Sequence, residues 1–399
     1  MKSQSIYSSL LLCILTFTHF LTITAERCVD IPDPLNPSKQ VIVDCPPTVN
    51  SDAYVKRQTT NFFEVTHNCT ATAALCNKIK EAFNDAGKEI SKVLELKQII
   101  KVNATFTDLI NPFLLGSAGP ARYIPLTSDD KIIRSYPQAL VKQFSLSTHP
   151  EYNDYDITAR LNAAQNWWFR TDNGTIGSDQ YDFYAVILHE LIHGLGFISS
   201  WSNLLETLVD QDTTGLTPFP DFGGDNDSQF EGFLENIFDK YVKFTRNGVV
   251  STSTDYTSQL NESVPIGTSF DTVEEFLARV KSSPQWEIAE FTLESATTND
   301  SLTFTPAEGT SYKEVIYLES GLYPYDQGSS ISHVSEKHYE LTPDFLMTWS
   351  QDPGITLEFA IQRGGNHSSP IGPRILSILE SMGYETESFP NPIIPTYEP

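Results

Sequence analysis

His189, Glu190 and His193 form an HExxH pattern inside the apolar run YDFYAVILHELIHGLGFISSW, residues 181–201. On a helix, positions four apart lie about 40° apart on one face, so both imidazoles can reach a single zinc ion. Glu190 falls close enough to hold a water on that ion, and carboxylate, metal and water together make a hydrolytic nucleophile near neutral pH. The alternative is a buried helix whose two histidines merely find hydrogen bonds. The surroundings disfavour it. Tyr184, Leu188, Leu191 and Leu195 give an apolar face, and Ala185, Val186, Ile187 and Ile192 bury most of the rest. An ionisable cluster in such a place is costly unless a metal or partners compensate it.

Catalytic zinc needs a third protein ligand and one open position. Where the long form of the motif carries a third histidine, this chain has Ser199, a poor zinc ligand. Of the eight histidines, His19 falls in the N-terminal leader, which leaves His67, His149, His333, His338 and His367. A glutamate ligand on a following helix, Glu231 or Glu235, is a further option.

The elements that would position these groups are legible in part. Gly194 and Gly196 can end the HExxH helix, and Ser178 or Asp179 can cap its start. Residues 70–97 carry Leu75, Ile79, Phe83, Ala86, Ile90 and Leu94 at three- and four-residue steps, a strong helix. Ile100, Val102, Ala104 and Phe106 alternate with polar residues, a half-buried strand with Asn103 on its outer face. LLGSAGPARY (114–123) reads as a glycine-containing loop without the lysine or spacing of a phosphate loop. Residues 138–144 and 156–161 look strand-like. The pattern weakens over 201–330, where turns surround 219–227, residues 230–244 read as a helix, and 324–328 is a turn. Pro373 and Gly383 bracket a final helix over 373–382. The fold class expected is α+β, a mixed sheet behind the active-site helix.

Residues 1–25 read as a secretory signal, with Lys2, an apolar run over 10–21 and Ala25 before the cut. No later stretch is long and apolar enough to span a membrane, and the C-terminal residues lack a lipid-anchor tail. Of the five cysteines, Cys13 leaves with the signal. Cys28, Cys45, Cys69 and Cys76 suit two disulfides in an oxidising compartment. The pairs Cys28–Cys45 and Cys69–Cys76 are favoured because they close short loops, and a four-cysteine zinc site is weak because no CxxC occurs. A bond between Cys28 and Cys45 would also leave neither free to occupy the zinc in a latent form. Sequons at Asn68, Asn103, Asn173, Asn226, Asn261, Asn299 and Asn366 point to a glycosylated surface. The net charge of −25 argues against nucleic acid and anionic membranes as partners.

HELIHGLGF (189–197), GSSISHV (328–334) and DFLMTW (344–349) together resemble the leishmanolysin-like branch of the metzincin metallopeptidases. LGSAGPARY, DITARLNAAQNWWF and FDKYVKF are similar to secreted relatives of that branch, so the resemblance covers roughly residues 67–384. It implies His189, His193 and His333 as ligands of one catalytic zinc, Glu190 as general base and Met347 as the Met-turn residue. Two departures stand out: a longer insertion before His333, and Trp349 where a Met-turn often continues with Pro or Tyr. His338, nearer Met347, is the rival third ligand.

The implied architecture is a metzincin-like, two-lobed zinc protease with a large insertion before the Met-turn. The signal (1–25) and a disulfide-tied lead-in (26–66), the latter a possible pro-segment, precede an N-terminal catalytic lobe (67–200). An insertion and C-terminal lobe (201–327) follows, and then the third ligand, Met-turn and C-terminal helix (328–399). The expected function is that of a monomeric, secreted zinc endopeptidase acting on protein or peptide substrates. The alternatives are an inactive zincin-fold binding protein and a zincin-type hydrolase of non-peptide substrates.

Overall fold

A computed structural model describes residues 27–49, 59–209, 211–223, 228–246 and 248–397. The signal segment and Asn226 lie outside the described residues. Cys28–Cys45 and Cys69–Cys76 are both disulfides, each with Cα atoms 5.8 Å apart. The described part of the lead-in forms strands and is tied by the Cys28–Cys45 disulfide, as an extended, disulfide-tied segment would be. β1 (Arg27–Asp30) lies between β2 (Val41–Asp44) and β7 (Arg122–Thr127), with β8 (Ile133–Pro137) beyond. A short pair joins β3 (Pro47–Val49) to β9 (Thr148–Pro150).

The sheet behind the site runs β4 (Phe63–Cys69), β5 (Ile100–Thr107), β10 (Ile157–Asn162), β6 (Gly116–Pro120). β4 and β10 flank β5 in parallel, while β6 runs antiparallel to β10 as an edge strand. β5 buries Ile100, Val102, Ala104 and Phe106 and leaves Lys101 exposed, as its period of two requires. Against this sheet packs α1 (Ala73–Val93), whose Ile79, Phe83, Ala86 and Ile90 form the buried stripe and whose start is capped by Thr72.

Two expectations fail in this part. Residues 114–123 run through β6 and into β7, strands of two different sheets, rather than forming a loop. The small residues of GSAGP carry no β-branched signature, and pairing with β10 makes the strand. Residues 138–144 form α2 (Gln138–Phe144) rather than a strand. All seven of its residues are buried, so no polar face marks the period.

α3 (Phe183–Gly194) carries the HExxH residues and packs on α1, β6 and β10. Its cap is Asp182, and neither Ser178 nor Asp179: one Asp182 oxygen accepts from the Tyr184 and Ala185 amides at 3.0 and 3.4 Å. The other accepts from Leu357 at 2.9 Å, fixing the start of α9 (Leu357–Arg363) to the start of α3. The helix approaches β10 so closely that a Cβ on Gly194 would lie 2.5 Å from Ile157. Gly196, at φ +106°, turns the chain away. Two minor strands, β11 (Trp167–Trp168) and β12 (Tyr181–Asp182), pair just before α3.

After α4 (Leu204–Leu208) the insertion builds its own layer. A hairpin of β13 (Phe219–Gly223) and β14 (Gln229–Leu234) leads to a sheet of β16 (Val249–Thr252), β15 (Val242–Arg246), β17 (Leu302–Phe304) and β18 (Ile316–Tyr317). The helix expected over 230–244 is therefore absent. Phe230, Phe233 and Phe238 imitate helical spacing, but Gly232 at φ +135° cannot sit in a helix. α5 (Ser253–Leu260), α6 (Val273–Lys281) and α7 (Trp286–Ala296) complete the layer. Trp201 docks it, stacking edge-on to Phe244 and donating from its indole to Ser253 at 2.7 Å. α8 (Glu336–Tyr339), a 3-10 turn at Phe345–Met347, α9 and α10 (Pro373–Met382) close the chain, and Gly383 ends α10 in left-handed backbone as expected.

The Gly194 contact gives a stability test. Gly194→Ala should lower the urea midpoint by an amount equivalent to about 1–3 kcal/mol, the usual cost of overpacking; an unchanged midpoint would show that α3 is not seated on Ile157.

Candidate metal centre

His189 and His193 project from α3, one turn apart, and His333 arrives from the loop before α8, 140 residues beyond His193. Their Nε2 atoms form a near-equilateral triangle: 3.0 Å between His189 and His193, and 3.1 Å from each to His333. This is the group of metal-ligating side chains found among the described residues.

Each imidazole is oriented by a backbone carbonyl. The Nδ1 atoms of His189, His193 and His333 lie 2.6, 2.8 and 2.9 Å from the carbonyls of Leu346, Phe197 and Ser329. A carbonyl only accepts, so each Nδ1 carries the proton and each Nε2 presents a bare lone pair. Burial pushes His189 down to about 4 and His193 to about 3, and holds His333 well below its usual range, so all three rings are neutral. Three lone pairs converging at this distance, with no proton to share, repel one another unless a cation sits among them. Imidazole nitrogens bind zinc at about 2.0–2.1 Å, a reach that this triangle would accommodate. The donor set fits zinc.

Glu190 is buried beside the triangle. Its burial raises the carboxyl to about 8, opposed by a hydrogen bond from the Ala118 amide of β6. A Cβ on Gly116 would lie 3.3 Å from Glu190 Oε1 and 2.8 Å from Leu161, so β6 can approach only because it is made of small residues. Met347 is fully buried in the 3-10 turn. That turn takes His189 through the Leu346 carbonyl and the His333 loop through the Met347 carbonyl, which accepts from Val334 at 2.9 Å.

The rival ligands lie elsewhere. His338 stacks on Tyr317, with Nδ1 3.1 Å from Ser335 Oγ. Glu235 is buried against Arg134, whose Nε donates to it at 3.2 Å, and Glu231 is exposed. His149 stacks on Tyr152, and His67 lies on β4.

Sequence reading missed the knot behind the triangle. Asp239, fully buried in the insertion, accepts from Ser199 Oγ at 2.6 Å and from the Ser200 amide and hydroxyl at 2.8 and 2.7 Å. The Ser199 amide donates to Ser332 Oγ at 3.1 Å, next to His333. Ser199, at the position where the long form of the motif carries its third histidine, thus ties the α3 exit to the loop that brings His333 in. Nothing in residue type or spacing announces that contact. A cavity of about 640 Å³ opens in front of the triangle, walled by β6, α3, the Phe345–Met347 turn, α9 and part of the lead-in.

What fold and site define together is an α+β protein with a buried three-histidine cluster over a helix-borne glutamate. The chain belongs to the SPBPB7E8-like family, which matches it over residues 24–398. It is 29% identical over 401 residues to the uncharacterised protein PB7E8.01 of Schizosaccharomyces pombe, covering 89% of this chain and 67% of that one. No solved structure matches it significantly.

His333→Ala should release zinc during dialysis against metal-free buffer, whereas His338→Ala should retain about one equivalent by elemental analysis. Zinc retained by His333→Ala would remove the triangle from consideration as the binding site.

Proposed function

We propose that the protein is a secreted zinc endopeptidase of the leishmanolysin-like metzincin type. The observation that carries this reading is the convergence of three neutral imidazoles, each turned by a carbonyl so that its free lone pair faces the other two, with Glu190 alongside. When bound, a zinc ion supplies Lewis-acid polarisation of a carbonyl and a water acidified toward neutral pH.

The chain's own groups do the rest. With a zinc cation beside it to keep its carboxyl ionised against burial, Glu190 would take the proton from the attacking water and deliver it to the departing amine, so that water adds to the carbonyl carbon as the C–N bond breaks. The Ala118 amide orients the carboxylate. The outer edge of β6 offers backbone donors and acceptors on which an extended polypeptide can pair as an added strand. That geometry favours peptides over compact small molecules.

Secretion is supported by the two disulfides and by sequon residues Asn68, Asn173, Asn299 and Asn366 on the surface, together with the signal read in the sequence. Among the described residues no helix is long and apolar enough to cross a membrane.

Cleavage of unfolded casein, abolished by a chelator and restored by zinc, is the expected behaviour. Glu190→Gln should keep its zinc and its fold while turnover drops at least about a hundredfold, in line with general-base contributions of roughly 10²–10⁴. A zinc-loaded wild type that leaves casein intact would sink the proposal, and an active Glu190→Gln would move the base elsewhere.

A further inference from the structure

α1 and α3 pack on one and the same face of the sheet behind the site. A Cβ on Gly87 of α1 would lie 2.7 Å from Phe63, and one on Gly194 of α3 would lie 2.5 Å from Ile157. The register defines the opposite face. On it Glu64 lies beside Lys101, Thr66 beside Asn103 and Thr158, and Asn68 beside Thr105 and Arg160. All of these are polar. Toward β6 the lead-in covers this face: Asp33 ion-pairs with Arg160 at 2.7 Å, and a Cβ on Gly119 would lie 3.8 Å from Pro34. Toward β4 the face is open. Glu64, Thr66, Asn68 and Lys101 are exposed, and Asn103, Thr105 and Thr107 are half-buried.

The open corner is a liability on two counts. Parallel strands are ordinarily covered on both faces, and β4, β5 and β10 run parallel. β4 is also an edge, seven residues long, with no strand beyond it among the described residues. Such an edge presents unpaired backbone groups to any other chain, and β4 holds neither a proline nor a bulge to blunt it. Two of the seven sequons fall on this corner instead. Asn68-Cys69-Thr70 ends β4, and Asn103-Ala104-Thr105 lies within β5. Because Asn68 pairs with Thr105, the two asparagines are diagonal neighbours on the open face. Neither carboxamide enters a hydrogen bond among the described residues. Sequon residue Asn261, by contrast, is built into the fold, its Oδ1 accepting from the Phe233 amide at 2.6 Å.

We infer that Asn68 and Asn103 both carry N-linked sugar, and that this sugar is the outer layer of the sheet, shielding the β4 edge from other copies of the chain. The inference is independent of the zinc chemistry and rests only on the secreted character proposed above. In the attachment, asparagine Nδ2 gives up one proton and bonds to the anomeric carbon of a diphosphate-activated oligosaccharide. The diphosphate leaves with the electron pair of the broken C–O bond. Sugar suits this face because it is bulky and hydrated. It covers polar side chains without desolvating them, and it holds a second β4 beyond the spacing of about 4.8 Å at which strands pair.

The test uses the full secreted chain. Glycopeptide mass spectrometry should find sugar on both Asn68 and Asn103. Asn68→Gln combined with Asn103→Gln removes the sugar and keeps the face polar. By light scattering, that variant should self-associate at a concentration at least about tenfold below wild type, a shift of roughly 1.4 kcal/mol. Asn299→Gln, on the exposed turn after α7, should leave self-association where it is in wild type. If the double variant is not secreted, enzymatic removal of sugar from folded wild type makes the same comparison. An empty Asn68 or Asn103 in a chain whose other sequons are occupied would overturn the inference. So would a sugar-free corner that stays monomeric, or an equal effect from Asn299→Gln. Sugar on none of the seven sequons would instead overturn the secreted reading, and this one with it.

Discussion

Three lone pairs held within 3.1 Å of one another set the terms for the rest of the molecule. Neutral acceptors do not gather unaided, so each ring has to be held by something stronger than its neighbours' repulsion. The holding groups are backbone carbonyls from three separate places: the α3 exit at Phe197, the loop at Ser329 and the turn at Leu346. Fixing those carbonyls means fixing the segments that carry them. The Met347 carbonyl on Val334, the Ser199–Ser332 bond and the Asp239 knot all serve that end. The insertion between His193 and His333 is therefore part of the centre, because Asp239 belongs to it.

The same reasoning explains why α3 is seated so tightly. Its histidines can meet a distant loop only if the helix cannot roll or slide. Gly194 against Ile157 sets its distance from β10, and the two oxygens of Asp182 tie its first turn to α9. β6 then passes close to Glu190, which small residues alone permit. Each of these contacts uses a residue that looks unremarkable in the sequence.

What could be read in advance followed physical regularity. α1, β5, α3 and α10 carry clean periods or punctuating glycine and proline, and they lie where those signals put them. The α+β class followed from them. α2 was illegible because a segment buried on every side shows no polar face, and β6 because glycine, serine and alanine have no preference for a strand until β10 supplies one. The run of phenylalanines over 230–244 misled, since aromatic residues packed between two layers can fall at helical spacing by chance. Among the histidines, residue type alone left five candidates for the third position. Family resemblance singled out His333, and geometry puts it beside His189 and His193. The partners of Asp239 are contacts between distant segments, which one-dimensional spacing does not encode.

The distance along the chain between the second and third histidines has a consequence for how the protein is made. A ribosome that has just released α3 has made a helix with two imidazoles and a glutamate. Ser329, His333 and Leu346, which complete and orient the triangle, are still to be synthesised. Two imidazoles one turn apart hold a divalent ion far less firmly than three, so the centre can form only once most of the polypeptide has been synthesised. On the proposed endopeptidase reading, order of synthesis alone would keep the unfinished chain inactive.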